Sequence, residues 1–186
     1  MKLPHLNPWL VLAVVGGIVY PPLVYFGMPI LSPEVLVLIG LALIGLRFFS
    51  VRQKPDAKTE KRVFFAAALG LIALLFINAH FAVQAYPVIV SLSVAALFGT
   101  SLFFPPTVIE RIARLTEHDL SPHGVIYTRK VTTVWTVFLI ANAGVSAATA
   151  LWGTLAQWML WNSLLSYLCM GALFVGEWIV RQRVRR

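Results

Sequence analysis

A polar face runs through an otherwise apolar stretch near the C-terminus, and it is the feature of this chain best suited to chemistry. Asn142, Ser146 and Thr149 are separated by four and three residues, which places them on one face of a helix. The next apolar stretch carries Asn162 and Ser166, again four residues apart. Amide and hydroxyl side chains on such faces join membrane helices through hydrogen bonds. They could instead line a path for a lipid or small ligand, and the sequence leaves both alternatives open.

Three ionisable residues lie near the ends of apolar stretches. Arg47 is close to the end of one stretch, from which its long side chain can extend to the membrane surface. Glu177 precedes Arg181 by four residues, an order that favours an ion pair on one helix. Arg47 and Glu177 are expected at similar depth, so an ion pair between two helices is a second possibility. The simplest interpretation places all three residues at the inner membrane interface.

Histidine and acidic residues offer little support for catalysis. Glu117, His118, Asp119 and His123 form a loose cluster, but their spacing matches no zinc or di-iron pattern, so we expect no metal and no cofactor. The sequence contains no phosphate-binding loop, no paired carboxylates and no supported Ser/His/Asp arrangement. This argues against an enzyme. The weakest alternative is a membrane acyltransferase that would use His80 or His118.

The composition defines the class of protein that must position these residues. Of 186 residues, 59% are hydrophobic and 12% are charged, whereas soluble domains are roughly 45–50% apolar and about 25% charged. We therefore predict an all-α membrane protein with six transmembrane helices in three hairpins, forming a single domain. The proline pair Pro21-Pro22 is expected to break or kink the first helix near its outer end. The predicted spans cover about residues 8–27, 33–50, 62–80, 84–104, 130–152 and 156–181.

The distribution of positive charge predicts the topology. All fifteen Lys and Arg residues fall at the N-terminus, within 47–62, within 105–130 or at the C-terminus. Short basic loops stay in the cytoplasm, so we predict a bacterial inner-membrane protein with both termini cytoplasmic. The net charge of +8 then reflects topology and attraction to anionic lipid head groups rather than nucleic acid binding. The six tryptophans fall near the predicted helix ends, as expected for amphipathic rings at the interface.

The loop between the fourth and fifth predicted spans contains a helix signal. Thr107 and Glu110 follow Pro105-Pro106 and match a capping box, in which each side chain caps the other residue's amide. Apolar residues occupy one side of the following turns, and polar residues the other. These are Val108, Ile112 and Leu115 against Glu110, Arg111 and Arg114. The pattern favours a short amphipathic helix on the inner membrane surface over a helix in a soluble loop.

Three segments of the chain carry a family resemblance: FPPTVIERIAR (104–114), YTRKV (127–131) and VWTVF (134–138). They resemble the bacterial intracellular septation protein A family, which is similar in length. That family also has a basic loop before its middle helices, here Thr59-Glu60-Lys61-Arg62, and a Lys/Arg-x-x-x-x-Trp entry into the penultimate span, here Lys130 to Trp135. The chain is also similar to small inner-membrane proteins encoded in aryl-polyene and fatty-acid-like biosynthesis clusters. Either resemblance implies cell-envelope biogenesis and no catalytic residues.

Three functional hypotheses follow, in order of preference. The first is a non-enzymatic inner-membrane protein that supports cell-envelope biogenesis or membrane-associated lipid or polyene assembly through contacts with other membrane proteins. The second is a translocator of a lipid-like molecule along the polar face of the last two predicted helices. The third is the acyltransferase. The expected partners are membrane lipids, including anionic head groups, and other inner-membrane proteins, and the oligomeric state stays open.

Overall fold

The structure, a computed structural model, describes residues 7–52, 57–115 and 119–184. Within these ranges the regular structure is helical and contains no strand, which confirms the predicted all-α class. A π-helical turn, Trp161–Leu165, joins α7 to α8 without a break, so the two form one long helix. The helices are α1 (Pro8–Gly27), α2 (Pro33–Arg52), α3 (Lys58–Ile77), α4 (Ala79–Phe103), α5 (Val108–Ala113), α6 (Pro122–Trp152), α7 (Leu155–Leu160) and α8 (Ser166–Val184).

Five helical segments are long and apolar enough to cross a membrane: α1, α2, α4, α6 and the joined α7–α8. The protein is therefore a membrane-embedded helical bundle. The remaining predicted span corresponds to α3, which packs against α2 and α4. Charged residues occupy its beginning, namely Lys58, Glu60, Lys61 and Arg62. Its uninterrupted apolar part, 63–77, is shorter than the roughly 20 residues that a spanning helix uses, so the crossing by α3 stays a prediction.

Local capping explains where the helix bounds differ from the predicted ones. α6 begins at Pro122 and not near residue 130, because the Ser121 hydroxyl accepts a hydrogen bond from the Gly124 amide and the proline occupies the first helical position. α4 begins at Ala79 after the cap Asn78, so His80 lies in its first turn. Of the expected break or kink in α1, the break is absent, since that helix runs on through its proline pair, while the kink stays a prediction.

Side-chain contacts bring several helix ends together at one end of the bundle. The Asn7 side chain donates to the Ser50 carbonyl at 3.0 Å, which places the beginning of α1 beside the end of α2. The Tyr127 hydroxyl donates to the Glu177 carbonyl at 3.2 Å, which places the beginning of α6 beside the end of α8. We call this the basic end, because it carries Lys58, Lys61, Arg62, Arg111, Arg114, Arg129, Lys130 and Arg181. This grouping agrees with the charge pattern behind the predicted topology.

A buried tyrosine joins three helices at the centre of the bundle. The Tyr20 hydroxyl of α1 lies 3.3 Å from the Leu36 carbonyl of α2 and 3.2 Å from the Val83 carbonyl of α4. Its ring packs against that of Tyr86, with 4.3 Å between the ring centroids. Since one hydroxyl serves two carbonyls, Tyr20 fixes the relative positions of α1, α2 and α4.

Trp158 occupies a different environment from the predicted one. Its position near a helix end indicated a ring at the membrane interface. The side chain is instead completely buried, and its indole nitrogen donates to the Gln84 carbonyl at 3.1 Å. The ring therefore anchors α7 to α4, because a buried indole N–H needs a hydrogen-bond partner.

Candidate functional site

A cavity of about 270 Å³ lies inside the bundle, where α1, α2, α4, α6 and α8 meet. We call it the central cavity. Two α1 residues in its wall, Val14 and Ile18, are also 44% and 40% exposed at the bundle surface. The cavity therefore reaches from the interior toward the lipid-facing side of α1. Its polar lining consists of Arg47, Tyr86, Ser91, Asn142, Asn162, Ser166 and Tyr167.

Asn142 contributes an amide to this lining. The side chain is 5% exposed, and its Nδ2 donates to Ser91 Oγ at 3.0 Å, which joins α6 to α4. Its Oδ1 is buried and has no hydrogen-bond partner in the described part of the chain. An unpaired buried acceptor costs roughly 1–3 kcal/mol. The amide oxygen is therefore free to accept a hydrogen bond from a group inside the cavity.

Asn162 lies in the π-helical turn and is held from both sides. Its Oδ1 accepts a hydrogen bond from Ser146 Oγ at 2.7 Å, and its Nδ2 donates to the Trp158 carbonyl at 2.9 Å. The first bond joins α6 to the last long helix, as expected for a helix-contact face. Single π-helical turns within α-helices often occur at functional sites. Here the turn orients the Asn162 side chain so that it bonds to Ser146 and also lines the cavity.

The predicted polar face therefore divides into three parts. Asn142, Asn162 and Ser166 line the central cavity. Ser146 is buried behind them and orients Asn162. Thr149 donates to the Ser146 carbonyl of its own helix at 3.0 Å, a bond within α6. Sequence spacing grouped these residues correctly on neighbouring faces, but the depth and partner of each depend on how the helices pack.

Arg47 lies deeper than the sequence indicated. A Cβ atom added at Gly17, in the middle of α1, would lie 3.6 Å from Arg47 Nη2 and 3.8 Å from Tyr86 Oη. The guanidinium group therefore points into the central cavity and not toward the basic end. Side chains on a helix lean toward its N-terminus, and α2 begins at the opposite end of the bundle. This direction carries Arg47 inward, and its buried Nε meets no acceptor among the described residues.

The predicted ion pairs of Glu177 are not formed in the described ranges. Arg47 turns away from Glu177 and enters the central cavity. Glu177 instead faces Tyr127, whose hydroxyl lies 3.4 Å from Glu177 Oε1. Arg181 lines the same pocket as Glu177 without closing the expected bridge. No carboxylate of the described chain lines the central cavity.

The predicted capping box at α5 is half formed. The Thr107 hydroxyl accepts a hydrogen bond from the Glu110 amide at 3.3 Å and caps the helix. The Glu110 carboxylate does not return to Thr107. It accepts from Arg114 Nη2 at 2.7 Å and Nε at 3.0 Å, because a charged guanidinium is a stronger donor than a backbone amide.

The two sides predicted for α5 are only partly found at the basic end, since Glu110 of the predicted polar side is buried. Ile112 and Leu115 are 55% and 75% exposed, as an apolar face turned toward lipid would be. Arg111 forms an ion pair with Glu60 at 3.6 Å and donates to the Pro106 carbonyl at 3.0 Å. The ion pair with Glu60 holds α5 against the beginning of α3. The position of α5 on the inner membrane surface stays a prediction.

A second pocket, of about 400 Å³, lies at the basic end between α5, α6 and α8. It contains Tyr127, Glu177 and Arg181, and it shares Trp135 with the central cavity. The Trp135 ring packs against Phe174 with 5.4 Å between the centroids. Trp135 therefore lies between the pocket at the basic end and the central cavity.

The histidine hypotheses gain no geometric support. His80 is exposed in the first turn of α4 and lines neither cavity. Of the loose metal cluster, Glu117 and His118 lie outside the described residues. The described residues contain no group of three or more His, Cys, Asp or Glu side chains suited to a metal ion.

Comparison with known proteins adds no family assignment. No protein-family model, curated protein or solved structure matches this chain. The central cavity and its polar lining are therefore the basis on which a function is proposed.

Proposed function

We propose that this protein binds a lipid-like molecule in the central cavity and moves or presents it within the membrane. In this proposal it acts without catalysis, as a component of cell-envelope or polyene-lipid assembly in a bacterial inner membrane. The observation that carries the proposal is the group of buried polar side chains around an interior cavity, in a bundle that is otherwise apolar. Ionisable and polar groups at membrane depth are costly and usually serve a function.

The shape of the cavity favours a molecule that enters from the bilayer. Val14 and Ile18 belong both to the cavity wall and to the exposed surface of α1. Apolar residues make up the remainder of the lining. A molecule with a polar head and an apolar chain matches both parts, because its chain can remain in contact with lipid while its head occupies the polar interior.

The chemistry of the lining favours binding over catalysis. Its polar groups are guanidinium, amide and hydroxyl groups. A guanidinium group does not release its proton near neutral pH, and amides neither gain nor lose one. The lining of the described chain contains no His, Cys, Asp or Glu that could act as a base. These properties suit recognition and holding of a ligand better than acyl transfer.

A second candidate function is the scaffold role expected from the sequence, through contacts with other membrane proteins. It is favoured by the hydrogen bonds between helices that use part of the polar face, Asn142 to Ser91 and Ser146 to Asn162. Packing of this kind accounts for Ser146. It does not account for the inward guanidinium of Arg47, and for this reason we prefer the ligand-binding proposal.

Filling the cavity tests the proposal. Ser166 lines the cavity and takes part in neither hydrogen bond between helices, so Ser166→Leu adds apolar volume there while leaving those bonds intact. Ser163→Leu is the matched control, because Ser163 bonds to the Met159 carbonyl of its own helix and does not line the cavity. The measurement is photolabelling of the purified protein in bilayers by a fatty-acyl probe, followed by peptide mapping.

The expected result is saturable labelling of cavity-lining residues on α1 and α8, lost in Ser166→Leu and retained in Ser163→Leu. Equal labelling of both variants, restricted to the lipid-facing surface, would contradict the proposal. Size-exclusion chromatography in detergent establishes that each variant is folded before the labelling patterns are compared.

A further inference from the structure

We infer that the molecule bound in the central cavity is an amphiphile with an anionic head group, a carboxylate or a phosphate, and that Arg47 holds this head group. This inference rests on the proposed function and names the chemical class of its ligand. It depends on three features of the cavity, which are an uncompensated cation, hydroxyl donors around it, and a space too small for an entire lipid.

The first feature is the charge. The guanidinium group of Arg47 is permanently protonated, and it lies in a cavity whose described lining contains no carboxylate. In the described chain Arg47 also forms no ion pair. A charge removed from water is strongly disfavoured unless an opposite charge and hydrogen bonds compensate for it. A bound anion supplies both.

The second feature is the set of donors around this charge. Tyr86 is 2% exposed, and its hydroxyl is buried without a hydrogen-bond partner in the described ranges. A Cβ atom at Gly17 would lie 3.8 Å from Tyr86 Oη and 3.6 Å from Arg47 Nη2, so the absence of a side chain there keeps the space beside both atoms open. The paired N–H groups of a guanidinium and a neighbouring O–H can donate hydrogen bonds to several oxygen atoms of one carboxylate or phosphate.

The third feature is size. The cavity volume of about 270 Å³ lies at the lower limit of pockets that enclose a drug-sized ligand, which are roughly 300–1,000 Å³. This space accommodates a head group and the first methylene groups, whereas a long chain must leave it. The wall formed by Val14 and Ile18 offers the way out, since both residues also face the membrane. The geometry therefore favours an amphiphile over a ligand that is fully enclosed.

Matched ligands and matched variants test the inference. The protein is purified in a neutral detergent, and its thermal unfolding is followed while palmitate, lysophosphatidate, hexadecanol or inorganic phosphate is added. Hexadecanol shares the chain of palmitate without the charge, and inorganic phosphate supplies the charge without a chain. Arg47→Gln removes the cavity cation, and Arg62→Gln removes the same charge from an exposed position at the basic end.

The expected result is saturable stabilisation of the native chain by palmitate and lysophosphatidate, but not by hexadecanol or inorganic phosphate. Arg47→Gln should weaken binding of both anionic amphiphiles about ten- to a hundredfold, because a charge-assisted hydrogen bond is lost. Arg62→Gln should bind as the native chain does. Equal binding of palmitate by Arg47→Gln and the native chain would overturn the inference, as would inorganic phosphate acting as strongly as lysophosphatidate.

The outcomes also separate this inference from the proposed function. If hexadecanol and palmitate bind alike, and Ser166→Leu abolishes binding of both, the cavity takes lipids without regard to charge and only the inference fails. If Ser166→Leu alters no binding, the proposed function fails as well.

A second variant covers the case in which Arg47→Gln does not fold. Asn142→Asp is nearly isosteric and places a carboxylate in the same cavity as Arg47. It should abolish stabilisation by palmitate, because the added carboxylate repels an anionic head group in the same cavity and offers Arg47 a fixed opposite charge. Unchanged stabilisation by palmitate in this variant would overturn the inference.

Discussion

Asn142 and Ser91 face each other across α6 and α4, with 3.0 Å between Asn142 Nδ2 and Ser91 Oγ. The second polar atom of the same amide, Oδ1, remains without a partner in the described chain and borders the central cavity. One side chain therefore joins two helices and also leaves an unpaired acceptor at the cavity wall. Of the two alternatives that the sequence left open, the helix contact is formed, and ligand lining stays a proposal.

A double-mutant cycle measures how much the hydrogen bond between Asn142 and Ser91 contributes to the free energy of unfolding. Ser91→Ala and Asn142→Ala should each lower the free energy of unfolding. Their coupling energy should be about 0.6 kcal/mol, the average for hydrogen bonds between membrane helices. Ser93→Ala is the control, because Ser93 bonds to the Ile89 carbonyl within α4. Reversible unfolding in mixed micelles provides the four free energies, and a coupling of the same size between Ser93 and Asn142 would contradict the assignment.

Tyr20 should be a stability residue, because its hydroxyl serves carbonyls on two other helices. Tyr20→Phe removes these hydrogen bonds and preserves the ring contact with Tyr86. We expect a loss of about 1–3 kcal/mol in the free energy of unfolding, since two buried acceptors lose their donor. Tyr25→Phe, on a partly exposed tyrosine of the same helix, should change it little. Equal effects of the two substitutions would show that the buried hydroxyl of Tyr20 carries no special weight.

Substitution of Gly17 by a large residue should reduce ligand binding in the central cavity without disturbing helix packing. An added Cβ meets Arg47 and Tyr86 only at ordinary contact distances of 3.6 and 3.8 Å, so Gly17→Ala should fold normally. Gly17→Leu extends further into the cavity and should reduce labelling by a fatty-acyl probe severalfold. Gly45→Leu is the control, because no atom lies within 4 Å of a Cβ placed there. Labelling and melting temperature are measured for all three variants. Full labelling of Gly17→Leu would contradict the prediction that a ligand occupies the space beside Gly17.

The crossing by α3 can be tested through cysteine accessibility. Replacing Cys169 leaves a cysteine-free background, in which single cysteines are introduced at Lys58 and at Asn78. If α3 spans the membrane, a membrane-impermeant thiol reagent added to intact cells should label Asn78→Cys and not Lys58→Cys. Labelling of both or of neither position would place the two ends of α3 on one side and exclude six crossings.

The sequence alone determined the class of the protein and most of its helices. Continuous apolar stretches and first-turn prolines act locally, so α1 and α2 begin at Pro8 and Pro33, where the predicted spans 8–27 and 33–50 begin. Spacing likewise placed Asn142 and Ser146 on one helical face, because the helical period is a property of the chain itself. The early start of α6 was missed because the polar residues Tyr127, Thr128, Arg129 and Lys130 resemble a loop.

The tertiary structure decided what the polar residues contact. The direction of the Arg47 side chain depends on the neighbouring cavity and on Gly17 of another helix, neither of which is visible in local sequence. The burial of Trp158 depends on a carbonyl of α4, and the orientation of Asn162 depends on a π-helical turn. Periodicity describes one helix at a time, whereas burial and pairing arise only when helices distant in sequence are packed together.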